Sequence, residues 1–226
     1  MPNLLGTVMA DTGVRASALR AGVRLEALTV AWMAIEAAIA IGAGVAARSV
    51  LLTAFGTDSL IELISGATLL WRLRVESRRA DAGRFEAVER RATQISAVLL
   101  ILLCAYVAVT SVAGVLFRIE PERSWLGIAV SAAAVVAMPW LATRKQVVNR
   151  TLQSPALRAD IAETATCAYL AAVTLLGVAV AALTGWWWTE YVAAIVLLWW
   201  LVPEAREALE AAGERSTHAD DDSIRP

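Results

Sequence analysis

The stretch ISAVLLILLCAYVAVTSVAGVLF, residues 95–117, contains no charged side chain over 23 consecutive positions. A helix of about 20 apolar residues, rising about 1.5 Å per residue, crosses the hydrocarbon of a bilayer. Five further apolar stretches occur at residues 25–47, 50–70, 125–142, 156–184 and 188–202. The sequence therefore predicts an all-α integral membrane protein, a bundle of six transmembrane helices.

The overall composition agrees with a membrane protein and gives no sign of nucleic-acid binding. Hydrophobic residues make up 58% of the chain, whereas a soluble domain is nearer half apolar. The net charge is −1, which offers no attraction for nucleic acid. Lys145 is the only lysine among many arginines, and alanine is abundant. This usage is typical of a bacterial genome of high GC content.

Basic residues fall mainly on one side of the predicted bundle. The loop between the second and third stretches is rich in arginine, and the N-terminal segment and the link between the fourth and fifth stretches are also basic. The positive-inside rule then places both termini in the cytoplasm, in a multi-pass protein of the cytoplasmic membrane. We predict a cytoplasmic N-terminal tail at residues 1–24, a six-helix domain at 25–204 and a short, disordered cytoplasmic tail at 205–226.

The second predicted helix contains two acidic residues in the sequence FGTDSLIELISG, residues 55–66. Asp58 and Glu62 are four positions apart, so they share one helical face, one turn from each other. An ionised carboxylate in a membrane helix usually faces the bundle interior or a water-filled cavity. No lysine or arginine is predicted at membrane depth. A metal ion or protons must therefore balance this pair of like charges.

The fifth predicted helix carries a second polar group in LRADIAETATC, residues 157–167. Glu163 and Cys167 again share one face, and Asp160 lies one turn nearer the cytoplasm. Counting from the basic helix ends puts these residues within a turn or two of the depth of Asp58 and Glu62. Carboxylate and thiolate ligands suit Zn²⁺, and a thiolate also accommodates neighbouring transition metals.

These features resemble the transmembrane domain of the cation diffusion facilitator, or cation efflux, family. That family has six helices with both termini inside and pairs of ligands four residues apart on helices two and five, usually HxxxD or DxxxD. Asp58 and Glu62 hold the helix-two places, and Glu163 and Cys167 hold those of helix five. Asp160 matches an Asp that often precedes the helix-five pair. The resemblance runs from about residue 25 to residue 205.

The resemblance implies a secondary active transporter that exports a divalent transition-metal cation by alternating access, as a homodimer. We predict proton antiport, with Asp58, Glu62, Glu163 and Cys167 binding the ion. The expected partners are the metal ion, protons, membrane lipid and a second copy of the chain, with no nucleic acid and no cofactor. Zn²⁺ is the expected ion, and Cd²⁺, Co²⁺, Fe²⁺ or Mn²⁺ are alternatives because Glu and Cys depart from the usual helix-five pair. The family's C-terminal cytoplasmic domain is expected to be missing.

Other interpretations of the same residues stay open. Cys167 suits a packing role, and Asp160 suits an accessory or proton-relay role at the site or, alternatively, a helix-dipole or salt-bridge role. Glu36, midway along the first predicted helix, suits a proton relay, an accessory ligand, or a hydrogen bond to a neighbouring Ser or Thr. A membrane protein that only senses or buffers metal is an alternative function. An intramembrane aspartyl protease is a weaker one, because Gly-Thr-Asp at residues 56–58 has no matching Tyr-Asp helix.

Overall fold

The computed structural model contains six α-helices and describes residues 4–78 and 85–224, with side chains for residues 15–75, 94–154 and 156–210. In chain order the helices are α1 (Leu4–Ala47), α2 (Val50–Arg78), α3 (Phe85–Leu116), α4 (Trp125–Leu152), α5 (Pro155–Thr184) and α6 (Trp188–Ile224). No strand occurs within those described ranges. The predicted all-α bundle of six helices is confirmed.

Five of these helices, α1 to α5, contain stretches long and apolar enough to cross a membrane, among the residues that the structure describes. The sixth has a shorter apolar part, residues 188–202, which Pro203 and Glu204 follow. Large apolar side chains point outward around the bundle; for example, Phe117 is 77% exposed and Trp199 is 84% exposed. Such a surface suits lipid, because water-exposed proteins rarely show apolar areas of this extent.

The helices are longer than the apolar stretches that predicted them. Helix α1 begins at Leu4, and α6 continues to Ile224 through the segment expected to be a tail. Helix α4 continues to Leu152, so Lys145 lies within a helix and not in the predicted basic link. That link is only residues 153 and 154, and the prediction of a longer one was wrong. Hydropathy marks the part of a helix that suits hydrocarbon and does not mark where the helix ends.

The first two helices pack closely because small residues lie between them. The chain turns at Ser49, between the two helices, and α2 packs along α1. A Cβ added at Gly56 would lie 2.7 Å from the backbone nitrogen of Ile41 and 2.9 Å from the Cβ of Ala40. Glycine therefore permits this approach, as at many helix contacts in membranes. Helix α4 packs on α5 and α3 on α6, while α2 also contacts α5 and α6.

Candidate ion-binding site

The two acidic residues of α2 are both buried inside the bundle. Asp58 is 3% exposed and Glu62 is 6% exposed. Neither carboxylate oxygen of Glu62 has a hydrogen-bond partner among the described residues. Buried polar atoms are nearly always paired in folded proteins, and an unpaired one is costly. The burial of both side chains on one helical face agrees with the prediction that the pair points inward.

A cavity of about 790 Å³ lies between α2, α3, α5 and α6 and contains three of the predicted ligands. Asp58 and Glu62 line it from α2, and Glu163 lines it from α5. The remaining lining residues are Ile61, Ser65, Ser96, Leu100, Ala159, Ala162, Thr166, Trp199, Trp200, Pro203, Glu204, Glu207 and Ala208. The lining thus combines carboxylates and hydroxyls with apolar walls.

Cys167, the fourth predicted ligand, is completely buried but is not part of the cavity lining. Its Sγ donates a long hydrogen bond, 3.7 Å, to Oε1 of Glu36 on α1. The spacing predicted that Glu163 and Cys167 share a face of α5. In the structure Glu163 lines the cavity, whereas the Cys167 thiol is hydrogen-bonded to Glu36 of α1.

Glu36 forms a compact group of hydrogen bonds between α1 and α2. Its Oε1 accepts from the Ser59 hydroxyl at 2.6 Å, and its Oε2 accepts from the Trp32 indole N–H at 2.6 Å. The expected hydrogen bond from a neighbouring Ser or Thr is therefore present. Since Ser59 follows Asp58 directly, this group also fixes the turn of α2 that carries the first predicted ligand.

Asp160 takes part in a buried ion-pair cluster that joins three helices. The Nζ of Lys145 in α4 lies 2.6 Å from Oδ2 of Asp160 in α5 and 2.9 Å from Oε2 of Glu26 in α1. Lys145 also donates to the Thr164 hydroxyl at 3.3 Å. Lys145 is 1% exposed and Glu26 is 0% exposed. The salt-bridge alternative for Asp160 is therefore the one that the structure shows.

The sequence predicted no lysine or arginine at membrane depth, and this cluster brings one lysine into the interior of the helical bundle. The prediction ended the fourth helix at residue 142 and so placed Lys145 in a loop, whereas α4 carries it into the interior. Lys145 does not line the cavity that contains Asp58. Its partners are two other carboxylates, so it leaves the charge of the α2 pair unbalanced.

The sequence profile of the cation efflux transmembrane domain matches residues 27–211, which covers all six helices in part or in full. The chain belongs to the cation efflux family. A comparison with curated proteins returned no match. Members of the cation efflux family are metal-cation transporters, so the protein is a multi-pass membrane protein for the efflux of a metal cation.

The predicted ligands of this cation efflux protein share a region but do not form a closed coordination sphere. Within the described residues, no three His, Cys, Asp or Glu side chains are arranged so that they could hold one metal ion. Asp58, Glu62 and Glu163 instead surround a cavity. The assignment of these three residues and Cys167 as ligands stays a prediction.

Two acidic residues of α6 were missed by the sequence analysis. Glu204 and Glu207 line the same cavity as the α2 and α5 carboxylates. Both follow Pro203, after the last apolar stretch, so hydropathy gave no reason to place them in the bundle. The available signal was their spacing of three positions, which puts both on one face of a helix. Burial and the neighbouring Glu207 raise the pKa of the Glu204 carboxyl, which lies beyond the apolar part of α6.

Proposed function

We propose that the protein exports a divalent transition-metal ion, Zn²⁺ or a close neighbour, in exchange for protons. The observation that carries this proposal is the cavity lined by Asp58, Glu62 and Glu163 without any Lys, Arg or His in its described lining. Buried carboxylates of like charge are stable only with a cation or with protons bound. A site that can hold either a metal cation or protons is suited to exchange one for the other.

The exchange follows from the acid–base chemistry of the ligands. A metal ion requires deprotonated carboxylates, so its binding releases protons, and protons arriving from the other side displace the ion. In the proposed cycle the cavity opens alternately to the two sides of the membrane. Asp58 and Glu163 then hold either the ion or protons, and never both together. Cys167 is the proposed fourth ligand.

Ion selectivity is tested by uptake into proteoliposomes that contain the full-length protein. Zn²⁺, Cd²⁺, Co²⁺, Mn²⁺ and Fe²⁺ are supplied separately and then in competition with Zn²⁺. If a thiolate takes part in binding, we expect Zn²⁺ and Cd²⁺ to be taken up in preference to the other ions. A protein that binds these ions but carries none of them into the lumen would be a sensor or buffer, and the transport proposal would be wrong.

Two substitutions at Cys167 decide whether this residue is a ligand. Cys167→Asp provides an oxygen ligand in place of sulfur and should lower the preference for Zn²⁺ and Cd²⁺ relative to Mn²⁺. Cys167→Ser is similar in size but is a poor ligand for Zn²⁺. It should therefore weaken Zn²⁺ uptake strongly. A fully active Cys167→Ser variant, with an unchanged metal order for Cys167→Asp, would leave Cys167 as a packing residue beside Glu36.

We further propose that the protein lies in a bacterial cytoplasmic membrane with both termini inside, in contact with lipid and paired with a second copy. The basic asymmetry of the sequence supports the orientation, and the family resemblance supports the dimer.

In a variant without Cys104 and Cys167, a new cysteine at exposed Arg123 should react with an impermeant thiol reagent in intact cells. A new cysteine at exposed Thr151 should react only after the cells are opened. The reverse pattern would invert the topology.

A further inference from the structure

The cavity extends beyond the proposed ligands to two carboxylates of α6. Glu204 is half-buried and Glu207 is exposed, and both line the cavity that contains Glu62. The two are about one helical turn apart. Glu207 therefore marks the outer part of the cavity, and Glu204 lies deeper, towards the α2 pair.

One carboxylate oxygen of Glu204 is buried and unpaired among the described residues. This atom is Oε2, and both carboxylate oxygens of Glu62 are likewise buried without a hydrogen-bond partner there. Asp58 and Glu62 of α2 line the same cavity as Glu204. Two unpaired acidic groups from different helices therefore face one space. Leaving both without a partner is costly, and a shared cation would remove that cost.

The rest of the lining supplies oxygen atoms and no positive charge. Ser65, Ser96 and Thr166 add hydroxyls, and the Ser96 hydroxyl also lacks a partner in the described part of the chain. The only charged residues along the described lining are the five carboxylates. Carboxylate and hydroxyl oxygens are ligands for hard and borderline divalent cations. The chemistry of the cavity therefore suits a cation held from α6 as well as from α2 and α5.

We propose that Glu204 is a further ligand of the transported cation and that Glu207 receives the ion at the cavity mouth. This inference rests on the proposed function, because it concerns the same ion. With Glu204 the donor set contains carboxylates from three helices, which makes it richer in oxygen than α2 and α5 alone. Such a set binds harder divalent ions, such as Mn²⁺, in addition to Zn²⁺.

Binding to the full-length protein in lipid nanodiscs, measured by calorimetry with Zn²⁺ and with Mn²⁺, tests this role. Glu204→Gln keeps the size of the side chain and removes its charge. Loss of groups that only support a metal ligand already costs about 10- to 100-fold in affinity. We therefore expect the Kd of Glu204→Gln to rise at least about tenfold for both ions. The matched control is Glu210→Gln on the same helix, since Glu210 is exposed and outside the cavity lining; its Kd should equal that of the unmodified protein.

A second measurement does not depend on the folding of a variant. Carbodiimide modification of carboxyl groups in the unmodified protein, followed by mass spectrometry, should be slowed at Glu204 by saturating Zn²⁺ and unchanged at Glu210. Equal modification of Glu204 with and without Zn²⁺, or a Glu204→Gln variant that binds like Glu210→Gln, would overturn the role of Glu204. If the unmodified protein still carries metal in that case, the proposed function stands. If it carries none, both proposals fall.

Discussion

Replacement of Lys145 by methionine should destabilise the bundle by about 3–5 kcal/mol, the usual cost of removing one partner from a buried ion pair. Methionine keeps much of the length of the lysine side chain, so the loss is one of charge and not of volume. It leaves Glu26 and Asp160 buried without their shared ammonium group. Thermal unfolding of the purified protein in detergent, followed by tryptophan fluorescence, measures the effect.

The control for this experiment is Arg150→Met, because Arg150 is an exposed basic residue of the same helix. A surface substitution of this kind usually changes stability by less than about 0.5 kcal/mol. Addition of Glu26→Gln and Asp160→Asn to Lys145→Met should restore most of the lost stability, since the cost comes from the unpaired charges. Equal unfolding temperatures for Lys145→Met and Arg150→Met would show that the cluster does not hold the three helices together.

Replacement of Asp58 by asparagine should reduce metal transport by more than about 100-fold, the upper end of losses seen when only a supporting group of a metal site is removed. The change keeps the shape of the side chain and removes the charge that the ion needs. Glu163→Gln should have the same effect from the opposite wall of the cavity. Initial rates of Zn²⁺ uptake by proteoliposomes, with reconstituted protein quantified for each variant, provide the measurement.

A suitable control is Glu122→Gln, which makes the same chemical change at an exposed position outside the cavity. Its rate should match that of the unmodified protein. Correct folding of Asp58→Asn is checked by its elution volume in size-exclusion chromatography. Transport by Asp58→Asn at the unmodified rate would mean that the ion crosses the protein by another route.

The sequence predicted the helices because each one carries an apolar stretch that no soluble structure would tolerate. It did not predict where they end, because residues such as Lys145 and Glu204 have no apolar signal. Lys145 is held inside the bundle by ion pairs to α1 and α5, and Glu204 lines the cavity between helices. The spacing of Asp58 and Glu62 predicted a shared inward face, and burial agrees with it. Helical period alone is sufficient for that step, since both residues belong to one helix.

The remainder of the site depends on packing between distant parts of the chain. Lys145 meets Glu26 only because α1 lies against α4, and no local pattern records that contact. Cys167 has the right spacing from Glu163, yet the packing of α5 on its neighbours brings the thiol to Glu36. The sequence predicts which face of its own helix a residue occupies. Which residue of another helix it contacts is determined by the tertiary structure.

The central claim, exchange of a metal ion for protons, is tested most directly in proteoliposomes that contain a Zn²⁺ indicator and a pH indicator in the lumen. When Zn²⁺ is added outside, we expect luminal Zn²⁺ and luminal pH to rise together, because protons leave as the ion enters. Both signals should be absent with Asp58→Asn. A rise in luminal Zn²⁺ without any pH change beyond that of protein-free liposomes would contradict proton exchange, and binding without a luminal Zn²⁺ signal would contradict transport itself.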